Sequence, residues 1–419
     1  MQRIVVIGAG LAGITTAFEL AQRGYEVVVL EAREGVARGT SFANGGLLTP
    51  SMADPWNFPG VHKLLAASLF DSTSPMKLHV RVIPSFFTWG LRFLRNSAPT
   101  HYHRATIANF RLARYSLDRT RDMRERLRLE YDATNPGTMK IFRSSAAITR
   151  PLAVARLLEP LGLNFKLLNC DEVLALEPAL RPIGSHLAGG LFFPDDEAGD
   201  ARKFCEAVSD RFRQSGGTLR FQTPVSRIAL RGGKVHSVET RDSVYPADAV
   251  VVAAGTMTPN LMRPLSISLP IRAAKGYTIT IDASQLVGRP IMPIVDDALH
   301  GAVAPLGARL RVAGTAEFAG EDKSLPPARV ENLFRLLDEL YPEIARKIDR
   351  ARAQLWTGLR PMSADGLPFI GETRVSGVYV NSGHGHLGWT LAAGSAYLLA
   401  DLISNRSPAM DPAPYTPTR

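Results

Sequence analysis

Arg3-Ile-Val-Val-Ile7, Gly8-Ala-Gly-Leu-Ala-Gly13, the stretch from Ile14 to Arg23 closed by Gly24, and Tyr25-Glu-Val-Val-Val-Leu30 with Glu31 at its end form one unbroken run, and that run decides the fold. Its first piece is short, apolar and rich in β-branched residues, the pattern of a strand buried on both faces of a parallel sheet. Ile14 to Arg23 reads as a helix, with Gly24 in the stop position. The second apolar run reads as the next strand. Gly8 permits the tight turn, Gly10 lets a pyrophosphate approach the backbone, and Gly13 lets the helix pack on the strand. The N-terminus of that helix offers unpaired N–H groups and partial positive charge to phosphates. Glu31 is placed to accept both hydroxyls of an adenine ribose and would repel a 2′-phosphate. The motif alone leaves NAD and FAD open. Its position at the start, with the rest of the chain free to wrap around it, leans towards FAD.

Beyond this unit, Arg38 to Gly46 has no apolar periodicity and reads as a loop. Ser41 and Asn44 offer polar groups there, and Gly45-Gly46 allow a flat ring to come close. Pro50 to Gly60 holds Pro50, Pro55, Trp56, Phe58 and Pro59, a stiff aromatic loop suited to a lid or pocket wall. Ile83 to Leu94 reads as an apolar-aromatic helix, followed by an arginine-studded helix or helix pair from about Ala105 to Tyr131. Gly189 to Phe193 reads as a strand, and Asp200 as the cap of the helix after it. Thr218 to Leu230, Lys234 to Glu239, Ala247 to Gly255, Lys275 to Ile281 and Ala308 to Gly314 read as strands. Leu325 to Arg352 reads as mostly helical, interrupted by Pro342. The tail after Asn405 carries four prolines and is expected to be poorly ordered.

The chain has 419 residues, 45% hydrophobic and 21% charged, which excludes a disordered, collagenous or disulfide-scaffold protein and leaves room for two or three domains. Two cysteines, Cys170 and Cys205, make no framework and fit a reducing compartment. The apolar stretches Ile4–Ala21 and Leu387–Ile403 are broken by glycines and charges, so neither reads as a membrane span, nor the first as a signal peptide. Nine histidines show no metal-ligand spacing with the cysteines, and no local signature suggests a Ser-His-Asp arrangement or a nucleic-acid module. The net charge is +10. Between Lys77 and Glu130 twelve basic residues face four acidic ones, so this segment holds a surplus of eight. It also carries Phe86, Phe87, Trp89 and Phe93. Basic and aromatic together suit an anionic membrane surface. The competing reading is a solvated charged helix face packed on the rest of the protein.

Near the C-terminus, Thr357-Gly-Leu-Arg-Pro361 and Asp365-Gly-Leu-Pro-Phe-Ile-Gly371 precede a strand, Gly377 to Ser382. Gly383-His-Gly-His-Leu-Gly-Trp-Thr390 then forms a glycine-rich turn feeding a helix to Ile403. A helix N-terminus here would stabilise negative charge on a reduced flavin. Arg360 has the fork that binds a carboxylate in two places, or it sits in a structural ion pair. Tyr277 is either a substrate hydrogen-bonder or a core aromatic. His300 precedes small residues, Ala302 and Ala304, that leave room for a substrate side chain, or it is simply a surface or core histidine. His384 and His386 flank Gly385 and suit backbone contact with a cofactor better than proton transfer. Arg309 and Arg311 share one strand face, with solvent as the default.

On Ile7 to Gly13, Thr40 to Gly46, Asp195 to Asp200, Ala253 to Gly255, Lys275 to Tyr277, Gly358 to Pro361 and Asn381 to Thr390, the sequence resembles FAD-dependent amino acid oxidoreductases of the D-amino acid oxidase and glycine oxidase type, and within them the bacterial dehydrogenase branch acting on D-amino acids. The resemblance runs to about Asn405. It implies a mixed α/β fold, with a Rossmann-like FAD-binding domain (1–75, 146–165, 200–260 and 356–405) interleaved with a substrate domain on a mixed or antiparallel sheet with helices (76–145, 166–199 and 261–355), and a tail, 406–419. FAD would be non-covalent. Gly8, Gly10, Leu11, Ala12, Gly13, Glu31, Ala32 and Arg33 would hold its ADP part. Thr40, Ser41, Asn44, Gly45, Gly46 and Leu47 would lie along the pyrophosphate and isoalloxazine. Val225 would meet adenine through its backbone, Ala254 and Gly255 would pass close by, and Gly383, Gly385, Leu387, Gly388, Trp389 and Thr390 would cover the pyrimidine edge.

Arg360 matches the arginine that clamps the substrate carboxylate in this family, with Tyr277 and His300 as the other catalytic candidates. The implied reaction is oxidative deamination of D-amino acids to 2-oxo acids and ammonia, by hydride transfer to flavin N5, with electrons passed to a quinone or respiratory-chain acceptor. The implied location is cytoplasmic, peripheral on the inner membrane if the basic segment binds lipid. An oxygen-using oxidase of the same fold, acting on glycine, sarcosine, D-proline or hydroxyproline, and a non-catalytic FAD-binding subunit of a complex stand as alternatives.

Overall fold

The computed structural model describes residues 2–68 and 76–419. Arg3–Ile7 forms a central strand of a six-stranded sheet, ordered Phe369–Glu372, Val378–Ser382, Ala249–Val252, Arg3–Ile7, Glu26–Leu30 and Thr218–Arg220. All neighbours pair in parallel except the first two strands. Ile4 and Val6 point into one apolar cluster and Val5 and Ile7 into another, which is why the run shows no polar alternation. One face is covered by the helices Leu11–Gln22, Ala201–Gln214 and Gly388–Ile403. Asp200 caps the second of these, accepting from the Arg202 and Lys203 N–H groups. A three-stranded antiparallel sheet, Val225–Arg231, Lys234–Thr240 and Val244–Pro246, lies towards the other face.

The second body is a nine-stranded mixed sheet. Ile271–Asp282 is its longest strand, paired with Gln354–Ser363 on one side and Arg309–Phe318 on the other. Tyr277, Ile279 and Ile281 face the helix Pro327–Leu340, burying Leu333, Phe334, Leu337 and Leu340. Alternation then turns Gly276 and Thr278 to the opposite face, where the main cavity lies.

Several expectations change. Gln354–Ser363 belongs wholly to the nine-stranded sheet, so the chain crosses between bodies after Ser363 and not at residue 356. The helix Ser145–Leu158, placed by sequence with the FAD-binding segments, packs through Val154, Ala155 and Leu158 on Phe142, Leu191 and Phe193 of the nine-stranded sheet. The arginine-studded helix is one element, Pro99–Leu127, starting earlier than expected because Pro99 occupies its first turn. It packs on Gly388–Ile403, where a Cβ at Gly394 would meet Ser116 at 2.7 Å. The boundary drawn at residue 75 falls outside the described residues.

The tail is ordered. Tyr415 is 1% exposed, and its hydroxyl donates to the Ala108 carbonyl at 2.7 Å. Arg419 pairs with Asp365 at 2.7 Å, donates to the Leu367 and Pro368 carbonyls, and lies 3.9 Å over the Phe369 ring. The prolines lower the entropy of the free tail, and one aromatic anchor is then enough to hold it. Tyr415→Ala is expected to lower unfolding free energy by about 3–5 kcal/mol, the usual cost of truncating a buried aromatic, as read by denaturant unfolding. No change would mean that the tail is detached in solution.

Candidate active site

The glycine turn that opens the chain is built by contact. Gly8 sits at φ +105°, and a Cβ on Gly13 would lie 1.9 Å from the Gly8 carbonyl oxygen, so only glycine lets the helix start this close to the strand. The helix N-terminus therefore opens onto a cleft. The Leu11 N–H donates to Ser41 Oγ at 3.1 Å, joining the helix start to the loop after Arg38. Glu31 is buried at the strand end, where its two oxygens accept from the Ala9 and Arg33 N–H groups at 2.8 and 2.9 Å. Each oxygen keeps a lone pair for a further donor, such as a ribose hydroxyl.

From Glu31 and Val225 the cleft runs past Gly10, Leu11 and Ala12, beneath Ser41 and Asn44, to Arg360, as one cavity of about 1210 Å³. It is larger than a pocket for one drug-sized ligand, roughly 300–1,000 Å³. Of the cofactor positions named from sequence, Gly8, Gly10, Leu11, Ala12, Glu31, Ala32, Arg33, Thr40, Ser41, Asn44, Gly45, Gly46, Leu47, Val225, Ala254, Gly255, Gly385, Leu387, Gly388, Trp389 and Thr390 line it. Gly13 and Gly383 do not: Gly13 is the packing glycine, and Gly383 turns at φ +83° against Phe369. Thr390 ties the far wall together, its hydroxyl accepting from the Thr49 N–H at 3.1 Å.

Arg360 enters the cavity from the strand Gln354–Ser363. Its guanidinium lies flat on Gly276, where a Cβ would stand 2.1 Å from Nη1. Nη1 is buried without a hydrogen-bond partner, and among the described residues no carboxylate pairs with Arg360. Burial pushes it down to about 10, so it stays charged at neutral pH. This excludes the structural ion pair. Trp56 lies 5.4 Å from the guanidinium carbon and stacks at 5.0 Å on His386. His384 hydrogen-bonds Ser395 at 2.9 Å, and burial pushes both histidines down to about 4, leaving neutral rings.

The other expectations divide. Tyr277 does not reach the cavity. Strand alternation sends it into the opposite core, fully buried, with its hydroxyl donating to Glu317 at 3.0 Å. His300 lines the cavity, exposed and at φ +48°. Ala302 lines it too, whereas Ala304 is buried elsewhere. Arg311 is 3% exposed, not solvated, and donates to the Asn44 carbonyl. Arg309 is half-buried against Asp132 and Asp200 at 2.7 and 2.9 Å.

Sequence reasoning missed a polar end of the cavity: Asp54 and Arg150, 3.8 Å apart, and Lys140 and Asp297, 2.7 Å apart. It also missed Thr315, held at φ +51° in a bulge opposite Gly276 and Tyr277. No local spacing marks them, because they come from separate strands, a helix and loops far apart in the chain.

A cleft with a dinucleotide-type glycine turn along one wall and a cation unpaired among the described residues at another has the shape and charge to take a nucleotide cofactor and an anion. The family model for FAD dependent oxidoreductases matches residues 3–402, and the chain belongs to that family. It is 40% identical over 411 residues to a D-amino acid dehydrogenase of Cereibacter sphaeroides, covering 98% of this chain and 94% of that one. It is 38% identical over 406 residues to one of Methylobacterium radiotolerans, covering 97% and 96%. Among solved structures, glycine oxidase from Geobacillus kaustophilus superposes with a TM-score of 0.76 at 23% identity over 100% of this chain and 99% of that one, and L-proline dehydrogenase from P. horikoshii with 0.79 at 17% over 100% and 97%. The cofactor is FAD, and the length and chemistry of the cleft fit it.

Gly276→Ala tests the close approach of Arg360. The added methyl meets the mobile end of a side chain, so the guanidinium shifts while the fold persists. Expected are unchanged FAD content and melting temperature with affinity for small carboxylates weakened about tenfold or more, the worth of a charge-assisted hydrogen bond. Unchanged affinity would show that Arg360 does not need this seat.

Proposed function

We propose that the protein oxidises D-amino acids to 2-oxo acids and ammonia. The observation that carries the reading is Arg360, a charged guanidinium in the cleft wall with no carboxylate paired to it among the described residues. Such a group attracts a carboxylate and binds it through two parallel hydrogen bonds. The names of the relatives, all acting on D-amino acids, supply the substrate class.

In this reading the two bodies are functional domains. Gly8, Gly10, Leu11 and Ala12 would hold the FAD pyrophosphate, Glu31 the ribose and Val225 the adenine, with Gly385 to Thr390 towards the flavin. When bound, FAD would supply the two-electron acceptor for the hydrogen leaving Cα as hydride. Arg360 fixes the substrate carboxylate and so the placing of Cα. Trp56, Phe58 and Met52 keep bulk water from that end. The amine reacts in its neutral form, its ammonium proton having gone to solvent on binding; loss of hydride from Cα then turns the C–N single bond into the C=N of an iminium, and the released imino acid takes up water to give the 2-oxo acid and ammonia. No protein acid or base is required beyond these positioning groups, consistent with the seclusion of Tyr277. Mixing the purified yellow protein with D- and L-amino acids, glycine and sarcosine under anaerobic conditions tests this. D-amino acids should bleach the flavin, a dye or ubiquinone should restore its colour, and Arg360→Leu should abolish bleaching at millimolar substrate. Bleaching by L-amino acids alone would overturn the substrate class, and rapid peroxide formation in air would overturn the quinone acceptor.

We infer also that the protein sits on an anionic membrane, where a quinone acceptor resides. Among the described residues no helix is long and apolar enough to cross a membrane. The contact surface differs from the one sequence suggested. Phe86, Trp89 and Phe93 are buried against Phe318 and Met362, and Arg121 and Arg124 of the long helix are bound to Glu197. The outer face of the helix Ile83–Arg95 instead exposes Ile83, Phe87, Leu91 and Leu94, spaced i, i+4, i+8 and i+11, with Val80 just before it. Arg81, Arg92 and Arg95 are exposed around that stripe. An apolar stripe edged by arginines suits an anionic bilayer surface. Phe87→Ser with Leu91→Ser should release the protein from anionic vesicles in flotation while leaving dye-linked turnover intact. Undiminished flotation would refute this surface.

A further inference from the structure

A half-buried cation with no carboxylate paired to it among the described residues needs something else to hold its orientation, and the aromatic loop provides it. Trp56 stacks on the His386 imidazole, ring centroids 5.0 Å apart with 15° between planes. The other neighbour of the indole is the Arg360 guanidinium, at 5.4 Å, inside the range of a cation–π contact. On its remaining side the guanidinium rests on Gly276. The loop is itself pinned. Ser51 hydrogen-bonds the buried Asp196, Asn109 donates to the Ala53 carbonyl at 3.1 Å, and Asn57 donates to the Ala364 carbonyl at 3.5 Å. The indole therefore has a fixed seat in the wall.

We propose that Trp56 is a positioning residue for the substrate carboxylate, holding the Arg360 fork in its binding orientation between an indole face and the bare backbone of Gly276. The proposal rests on the reading of Arg360 as the carboxylate site and adds to it the group that aims the fork. A planar guanidinium loses its two parallel hydrogen bonds when it tilts, so binding depends on the face it lies against as well as on its charge.

The test uses FAD-loaded protein and two probes of similar shape, propionate and propionamide, titrated by the change in flavin absorbance. Parent, Trp56→Ala, Trp56→Phe and Arg360→Leu are compared, with FAD content and melting temperature recorded for each. Trp56→Ala should weaken propionate about tenfold, Trp56→Phe should recover most of the loss, and propionamide should change less than about twofold in either. Equal loss of both probes would overturn the proposal, since it describes a mere wall. Undiminished propionate binding in Trp56→Ala would overturn it as well. If Arg360→Leu keeps full propionate affinity, the carboxylate reading falls and the proposal falls with it. If Arg360→Leu loses propionate and Trp56→Ala does not, that reading stands and only the positioning role fails.

Discussion

The constraint on which this architecture turns is a half-buried positive charge in the cavity wall with no carboxylate paired to it among the described residues. Its Nη1 is shut away without a hydrogen-bond partner, an arrangement that is costly unless a ligand or other groups compensate. Here Arg360 is held by shape. A glycine backbone lies under the guanidinium, an indole stands to its side, and the loop carrying the indole is fastened to three other segments. The nine-stranded sheet brings Arg360 and Gly276 together through the pairing of Gln354–Ser363 with Ile271–Asp282. That ladder is what makes the cation available at one place only.

The fastening has its own chemistry. Asp196 is buried, and desolvation pushes its carboxyl up to about 8, so around neutrality it is largely protonated against Ser51. A neutral carboxylic acid is the cheaper form to bury, and it still hydrogen-bonds the start of the aromatic loop. The site is thus supported from behind by neutral groups, among them His384 and His386, and the Arg360 charge faces the cavity. An electric field so arranged acts on what enters the cleft and is not spent inside the wall.

The outer face of the helix Ile83–Arg95 shows how composition misleads about place. The surplus of basic residues between Lys77 and Glu130 is real, but much of it serves internal ends. Arg114 donates to the Leu161 and Gly162 carbonyls, and Arg121 and Arg124 clasp Glu197. The aromatics of the preceding helix form its inner seam, packed on Phe318. What remains outside is an apolar stripe with three arginines, a smaller and sharper feature than the charge count describes.

Sequence alone determined the dinucleotide half. Its strand, glycine turn, helix, strand and acid are contiguous, and each is fixed by local sterics: a Cβ at Gly13 would lie 1.9 Å from the Gly8 carbonyl oxygen, and no distant residue can change that. Arg360 was legible because an arginine beside a proline in a resembling motif is a short-range signal. The orientation of Tyr277 was not, since the parity of a strand is set by which of its faces meets the helix Pro327–Leu340. Nor were Asp54, Lys140, Arg150, Asp297 and Thr315, which meet only when strands far apart in the chain pair. The tail was misjudged for the same reason: its prolines are local, but the pocket that takes Tyr415 is built from elsewhere. Local conformation follows from neighbours in the chain, whereas the facing of a side chain and the make-up of a cavity follow from which surfaces the fold brings into contact.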